Sequence, residues 1–312
     1  MLKAGVIGVG HLGRFHAQKY AAIEGVELVG VYDLSPERAK LVADECKTKS
    51  YSTTAELLKD VDIVSIATPA TNHFESASQA LEAGVHCLIE KPFTRTVDEA
   101  RKLMDIAKRK NVKIQIGHLE RFNTVVAEGN ALLKNPRFIE ANRLAPFTAR
   151  STDIDVILDL MIHDIDLVLG IMGQNEVVEI DAIGIPVLTD KVDIAHAKLV
   201  FANGAMANLT ASRISHKVFR KMRVFQRFSY VGLDFQKGEV EVFERVAKDG
   251  KYSIEGKMMP FGNIDALKKE IESFIKAVND NTEPVVTAMD AFKAMEIAHK
   301  IIDKINTRME TI

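Results

Sequence analysis

Gly8, Gly10 and Gly13 form G-x-G-x-x-G, with His11 and Leu12 inside it, between a short apolar run and an amphipathic segment. Glycines there permit a tight turn and the close approach of a pyrophosphate, and the N–H groups and dipole of the following helix favour the phosphate charge. Asp33 ends the next apolar run 20 residues after Gly13, where a carboxylate can accept hydrogen bonds from adenosine ribose hydroxyls. The order strand, glycines, helix, acid therefore implies a dinucleotide. The carboxylate would repel a 2′-phosphate, so NAD is expected over NADP, and Arg38 stands near enough to soften that preference. FAD uses a similar loop, but the remainder of the chain reads as a second domain rather than a second flavin-binding segment.

Three further segments fall where strands should end. Thr68-Pro69 with Asn72-His73 follows the third strand, Glu90-Lys91-Pro92 the fourth, and Gly117-His118 to Asn123 the fifth. Ligands of open parallel sheets bind beyond the carboxyl ends of the strands. A lysine held there, Lys91, can hydrogen-bond a reacting hydroxyl or stabilise an oxyanion; the alternative is a solvated surface lysine. Pro92 admits a cis peptide bond without dictating one. Farther on, Asp155, Asp159, His163 and Asp166 recur at spacings of four, four and three, which on an α-helix puts them on one face. Ile157, Met161, Ile165 and Val168 line another. A histidine one turn from a carboxylate is a poised proton acceptor; the alternative is an ordinary charged helix face.

These groups need a scaffold, and the apolar pattern supplies one. Strands are expected at Lys3 to Val9, Glu27 to Tyr32, Asp62 to Ala67, His86 to Ile89 and Lys113 to Ile116. Helices are expected between them at Leu12 to Ile23, Pro36 to Cys46, Ala55 to Lys59, Phe74 to Ala83 and Val97 to Lys110. Ser35-Pro36 is a well-formed helix start. This alternation predicts an α/β fold, a doubly wound parallel sheet of Rossmann type. After residue 122 the pattern changes. A helix at Val125 to Lys134, a strand at Phe138 to Leu144 and a helix at Ile154 to Leu169 precede alternating stretches such as Ile194 to Phe201 and Ala205 to Ser212. The last two are joined through Asn203-Gly204, a hairpin signal. Helices at Asp265 to Val278 and Asp290 to Ile305 close the chain. The expected organisation is a dinucleotide-binding domain over residues 1–122 and an α+β domain with a largely antiparallel open sheet over residues 123–312, the latter binding substrate and mediating oligomerisation.

Composition narrows the function classes. The 312 residues suit about two domains, and 47% hydrophobic with 27% charged residues is globular. Lys and Arg total 41 against 43 Asp and Glu, a net of −2, so there is no basic excess for a nucleic acid. The longest stretch without Asp, Glu, Lys or Arg, Leu199 to Ser212, has 14 residues, short of the roughly 20 that cross a bilayer. Cys46 and Cys87 make no disulfide framework and have no Cys/His company for zinc, so no metal is expected. The opening MLKAGVIGVG leads at once into the glycine turn, without a cleavage-site pattern, and the expected compartment is the cytoplasm. An exposed apolar sheet face would favour a homo-oligomer, dimer or tetramer.

The motifs together resemble the glucose–fructose oxidoreductase and inositol dehydrogenase family (Gfo/Idh/MocA) along nearly the whole chain. They are Gly8-Val9-Gly10-His11-Leu12-Gly13 with His16, Thr68-Pro69 with His73, Glu90-Lys91-Pro92, and Asp159-x-x-x-His163 with Asp166. The resemblance implies a Rossmann domain paired with an open-sheet substrate domain, and Lys91, Asp159 and His163 as the catalytic group. It implies cofactor contacts from Gly8, Gly10, His11, Leu12, Gly13, Asp33, Thr68, Pro69, Asn72, His73, Glu90 and Lys91. The run Gly117-His118-Leu119-Glu120-Arg121-Phe122-Asn123 is similar to G-H-x-x-R-F-N-P of members that oxidise sugar nucleotides, with Thr124 in place of Pro. Ala211-Ser212-Arg213-Ile214-Ser215 and Arg220 to Phe225 are similar to segments of the branch that oxidises C3 of UDP-N-acetylglucosamine. A diphosphate substrate suits arginine, which nominates Arg121, Arg150 and Arg213, with Asn123, for substrate. The expectation that the resemblance implies is an NAD-dependent dehydrogenase oxidising a secondary hydroxyl of a sugar, foremost C3 of a UDP-N-acetylhexosamine. The alternatives are a dehydrogenase of a free cyclitol or sugar, and an NAD-binding regulator without chemistry, against which the joint presence of Lys91, Asp159 and His163 argues.

Overall fold

Short runs of β-branched and apolar residues become strands here because helices cover both faces of the sheet they form, so neither face needs polar side chains. The computed structural model describes residues 1–148, 154–248, 250–262 and 265–310. In the first compact unit, β1 (Leu2–Ile7), β2 (Val26–Tyr32), β3 (Lys49–Ser50), β4 (Ile63–Ile66), β5 (His86–Glu90) and β6 (Ile114–Gly117) form one parallel sheet in the order β3-β2-β1-β4-β5-β6. Five of these strands match the expected ones within a few residues. The two-residue β3 is too short for any periodicity to reveal. All four residues of β4 and of β6 are buried.

The crossovers are α1 (His11–Ala22), α2 (Pro36–Cys46), α3 (Thr54–Leu57), α4 (His73–Glu82) and α5 (Val97–Lys110). Their starts carry the expected chemistry. Ser35 Oγ accepts from the Arg38 N–H at 3.3 Å with Pro36 in the first turn, and Thr96 and Glu99 form a reciprocal capping box. Because β1 lies between β2 and β4, the chain reverses its direction of travel across the sheet there. Loops beyond β1 and β4 diverge at such a point and leave room for a ligand.

In the second unit α6 (Thr124–Asn130) leads to β7 (Pro136–Leu144), then to a π-helical turn at Ile157–Met161 that runs directly into α7 (Ile162–Met172). There follow β8 (Val177–Ile185), β9 (Ile194–Phe201), β10 (Met206–Ser212), β11 (Phe219–Gln226), β12 (Ser229–Asp234), β13 (Glu239–Lys248) and β14 (Lys251–Pro260). The sheet order is β14-β13-β12-β11-β7-β10-β9-β8, antiparallel at every pairing except β7 with β10. Asn203-Gly204 does turn the β9–β10 hairpin: Gly204 has φ +79° and Asn203 Oδ1 accepts from the Ala205 N–H at 3.0 Å. The closing helices are α8 (Ala266–Asn279) and α9 (Ala288–Met309). No helix among the described residues is long and apolar enough to cross a membrane.

The division of the chain differs from the expected cut after residue 122. The first unit comprises Met1–Leu119 with Asp265–Lys293, the second Glu120–Ile264 with Ala294–Ile312. The physical reason lies in α8, whose Ile271, Phe274 and Ile275 share a core with Val6, Val31, Ile63 and Leu88 of the parallel sheet. Just after it, the Ile116 N–H donates to the Val286 carbonyl at 3.2 Å and Thr287 bridges Gln115, which covers the open edge of β6. A helix's apolar stripe says that it must be buried, not against which sheet.

The second unit holds a buried ion pair. Arg143, 3% exposed, donates from Nε and Nη2 to Asp164 at 3.0 and 2.9 Å and from Nη1 to Glu120 at 2.7 Å. Burial opposes the guanidinium charge, but Asp164 and Glu120 outweigh it and hold Arg143 charged. Burial also keeps the Asp164 carboxyl above its ordinary range, so the pairing offsets only part of the desolvation. Removing one partner from such a pair strands a buried charge. Arg143→Met is therefore expected to lower stability by about 3–5 kcal/mol in a urea titration, with part of the loss recovered when Asp164→Asn is added. A loss below about 1 kcal/mol would place the pair among weak surface contacts.

Candidate active site

The glycine loop joins β1 to α1 by contacts that exclude side chains. Gly8 has φ +83°, and a Cβ there would lie 2.7 Å from the Thr68 backbone nitrogen. A Cβ on Gly13 would lie 1.8 Å from the Gly8 carbonyl oxygen, so α1 rests directly on the turn. Gly10 is different, because a Cβ there meets nothing within 4 Å. The chain's own packing does not require glycine at that position; a diphosphate lying against the backbone does. Gly10 also caps α1 without a side-chain hydrogen bond, leaving the helix N-terminus to bind an anion. His11 and Leu12 are exposed in its first turn.

Asp33, 9% exposed, belongs to the same structure. Its Oδ2 accepts from the Val9 N–H at 2.8 Å and its Oδ1 from the Ser35 N–H at 2.9 Å, which leaves acceptor capacity on Oδ2 for a ribose hydroxyl. The Arg38 guanidinium, whose side chain is 53% exposed, approaches Oδ1 at 3.3 Å. These residues fit NAD. The carboxylate is anchored to the loop that would hold the diphosphate, so one connected element would meet both the ribose and the phosphates of an adenosine diphosphate.

Beyond β4 and β5 the expected residues also gather. His73, 1% exposed, places Nδ1 2.8 Å from the Pro92 carbonyl and Nε2 2.9 Å from the Thr68 carbonyl, so its ring ties the two loops together. Burial lowers its pKa against the pull of those carbonyls, and a neutral ring donates to only one of them. Pro69 precedes, and Asn72 ends, a 3₁₀ turn over Ala70–Asn72 that leads into α4. Glu90 ends β5; its Oε1 lies 2.9 Å from His16 Nε2 and its Oε2 accepts from the Lys91 N–H at 3.3 Å. The Lys91–Pro92 peptide is cis, and Lys91 is half-buried. Lys91 is thus set at the carboxyl end of a central strand, as its position in the sequence led us to expect.

In the second unit Asp159 lies within the π turn and His163 at the start of α7, both half-buried. Sequence spacing treats this stretch as a regular α-helix. The π turn, with its i to i+5 bonding, breaks that regularity, and such turns recur at functional sites. The four spaced residues do not share one environment. Asp155 Oδ1 accepts from the Val192 N–H at 3.0 Å, and Asp166, 1% exposed, is gripped by Arg121 through Nε at 2.7 Å and Nη2 at 2.8 Å.

The residues nominated for a substrate diphosphate have other engagements. Arg121 makes the bidentate pair just described. Arg213 is 4% exposed, and its Nη2 donates to the Ile154 carbonyl at 2.6 Å, with Nε 3.6 Å from Asp193. Asn123 caps α6, its Oδ1 accepting from the Val125 N–H at 3.0 Å. These contacts give Arg213 and Asn123 framework duties that residue type alone does not disclose. Arg150 lies outside the described residues.

Besides Asp164, two further buried acids escaped the sequence reading. Asp193 accepts N–H groups of Leu188, Val187 and Thr189 at 2.6, 2.8 and 2.9 Å. Glu270 lies fully buried on α8. The available signal for Glu270 is its place between Leu267, Ile271 and Phe274, a carboxylate on an apolar stripe.

The contrast among the glycines is testable. Gly10→Ala should fold with unchanged apo stability yet bind NAD roughly tenfold more weakly, whereas Gly13→Ala should lose stability outright. Thermal shift with and without NAD separates the two, and an NAD response of Gly10→Ala equal to wild type would refute the assignment of the loop.

With this geometry established, comparison with known proteins is informative. The family described as "Oxidoreductase family, NAD-binding Rossmann fold" matches residues 2–118, and the "GFO/IDH/MocA C-terminal domain" matches residues 126–227. The chain is 45% identical over 280 residues to UDP-N-acetylglucosamine 3-dehydrogenase of Acidithiobacillus ferrooxidans, covering 89% of this chain and 88% of that one. A solved structure of that enzyme superposes with a TM-score of 0.92 at 41% identity over 98% of each chain. The scyllo-inositol 2-dehydrogenase (NAD(+)) of Bacillus subtilis is 26% identical over 327 residues, 95% of this chain and 92% of its own. The chain therefore belongs to the Gfo/Idh/MocA family and is an NAD-binding oxidoreductase, a dehydrogenase on the expected two-part α/β plan.

Proposed function

We propose that this dehydrogenase oxidises a secondary hydroxyl of a sugar, at C3 of a UDP-N-acetylhexosamine, in the cytoplasm. The observation that carries the substrate is the likeness to a UDP-N-acetylglucosamine 3-dehydrogenase along most of both chains. NAD, when bound, supplies the acceptor for the hydride. His163 takes the hydroxyl proton at a ring nitrogen, and Asp159 orients the imidazole and balances its new charge. The Lys91 ammonium steadies the oxygen as it becomes a carbonyl. The glycine loop and Asp33 bind and orient the cofactor, and the free thiols of Cys46 and Cys87 suit a reducing compartment.

One observation favours a second reading, a free cyclitol or sugar as substrate. The bidentate hold of Asp166 on Arg121 and the burial of Arg213 reduce what those two residues offer a diphosphate. Incubation with NAD and either UDP-N-acetylglucosamine or myo-inositol, followed by NADH absorbance, separates the two. The expected result is a signal with the sugar nucleotide; a signal with inositol alone would overturn the substrate assignment. Lys91→Ala and His163→Ala should each lower kcat by about 100-fold or more while NAD still binds. Unchanged turnover in both would overturn the assigned roles.

We also infer a homo-oligomer. On the β13–β14 edge, Phe243, Tyr252, Ile254 and Met258 share one face by strand alternation and are 48%, 69%, 79% and 61% exposed, an apolar surface unusual on a monomer. Light scattering should report more than one chain per particle and Ile254→Lys should reduce it; a monomeric wild type would refute this.

A further inference from the structure

Glu270 is a carboxylic acid with no exposure at all, and neither of its oxygens has a hydrogen-bond partner among the described residues. An ionised carboxylate so placed would be heavily penalised. Its surroundings show how the structure deals with that. One oxygen of Glu270, one of Glu90 and a ring nitrogen of His16 all lie within 4.8 Å of one another. Two carboxyl groups that close cannot both ionise in a buried setting.

The donors in the cluster decide which acid keeps the charge. Tyr20 Oη lies 3.0 Å from Ser65 Oγ, Ser65 Oγ lies 3.0 Å from His16 Nδ1, and His16 Nε2 lies 2.9 Å from Glu90 Oε1. Every hydrogen finds an acceptor when Tyr20 donates to Ser65, Ser65 to His16, and His16 to Glu90. The Lys91 N–H donates to the other Glu90 oxygen. Glu90 thus collects the donors, and among the described residues none donates to Glu270. The titration behaviour agrees. Burial, then the Glu90 charge, push Glu270 well above the carboxylate range. Burial would raise Glu90 too, but His16, Lys91 and His73 hold it below that range. The titratable groups around the pair are His16 and Tyr20 from α1, Cys87 from β5, His73 from the start of α4, and Lys91 from the turn after β5.

We propose that Glu270 stands protonated at neutral pH and presents its hydroxyl to Glu90, as a positioning residue for the turn that carries Lys91. A rotation of the carboxyl group or one bridging water closes the remaining gap. Since Glu90 also receives the Lys91 N–H, orienting its carboxylate orients the peptide from which the Lys91 side chain departs. The kinetic part of this inference rests on Lys91 taking part in the reaction as proposed above; the protonation state does not.

Infrared difference spectra of the full chain, wild type minus Glu270→Gln at neutral pH, test the proton directly. A protonated carboxyl C=O band that shifts in D2O and is lost in the variant is expected. Turnover then tests positioning. Glu270→Gln keeps a donor and should hold kcat within about twofold, whereas Glu270→Met, of similar length without a donor, should lower kcat about tenfold with NAD affinity unchanged. Absence of the band, equal kcat in Glu270→Met and wild type, or a stoichiometric divalent cation in the wild-type chain that Glu270→Gln loses would overturn the proposal. If the wild type turns over no sugar, the functional reading fails while the infrared band still decides the state of Glu270.

Discussion

Helix α1 meets the turn after β1 backbone to backbone, at a separation that admits no side chain, since a Cβ on Gly13 would sit 1.8 Å from the Gly8 oxygen. Much of the first unit follows from that one contact. It sets the helix N-terminus at the carboxyl ends of β1 and β4, where the strand order reverses. It turns the Val9 N–H toward Asp33, so the acid proposed to bind the ribose is tied to the loop proposed to bind the diphosphate. It also leads His16 and Tyr20, the next turns of the same helix, down to Ser65 and Glu90. One steric constraint on two glycines thereby positions the cofactor's anchors and the polar cluster beneath Lys91.

Buried carboxylates recur through the chain, and each is handled by a different arrangement. Asp193 is fully buried, which alone would raise its pKa, but the N–H groups of Leu188, Val187 and Thr189 hold it at about 2. Its folded-state pKa is depressed, so its contribution to stability is complete above the ordinary carboxylate range and is lost as pH falls toward that value. Asp164 is met by a charged guanidinium. Glu90 receives one imidazole and one backbone N–H. Glu270 receives nothing comparable, and a buried acid without donors is most stable when neutral. The same side chain is therefore an anion in one place and a hydrogen-bond donor in another, according to the donors its neighbours bring.

The contrast explains how much could be read from sequence. Periodicity and punctuation located five of the six parallel strands, the helix start at Ser35-Pro36, and the Asn203-Gly204 hairpin, because each depends on residues adjacent in the chain. The glycine loop and Asp33 were legible for the same reason, lying on consecutive elements. What was not legible depends on long-range partners. The association of α8 with the first sheet, the bridge from Thr287 to β6 and the burial of Glu270 all join residues more than 150 positions apart. An amphipathic stripe reports that a helix is buried but carries no address.

The π turn and α7 show the limit most sharply, and also its use. Spacing alone grouped Asp155, Asp159, His163 and Asp166 as one polar face. Folding sorts them: Asp155 secures the Val192 backbone, Asp166 is neutralised by Arg121, and the neighbouring Asp164 by Arg143. Asp159 on the irregular segment and His163 in the first turn of α7 are half-buried. A general base must be reachable by substrate and yet shielded enough for a neighbouring carboxylate to matter, and the role proposed for His163 asks for that combination. An acid already bonded bidentately to arginine has little left to offer a reacting proton. The arginines thus do for this helix what donors do for Glu90: they fix the state of Asp164 and Asp166, and that assignment is made by packing rather than by residue type.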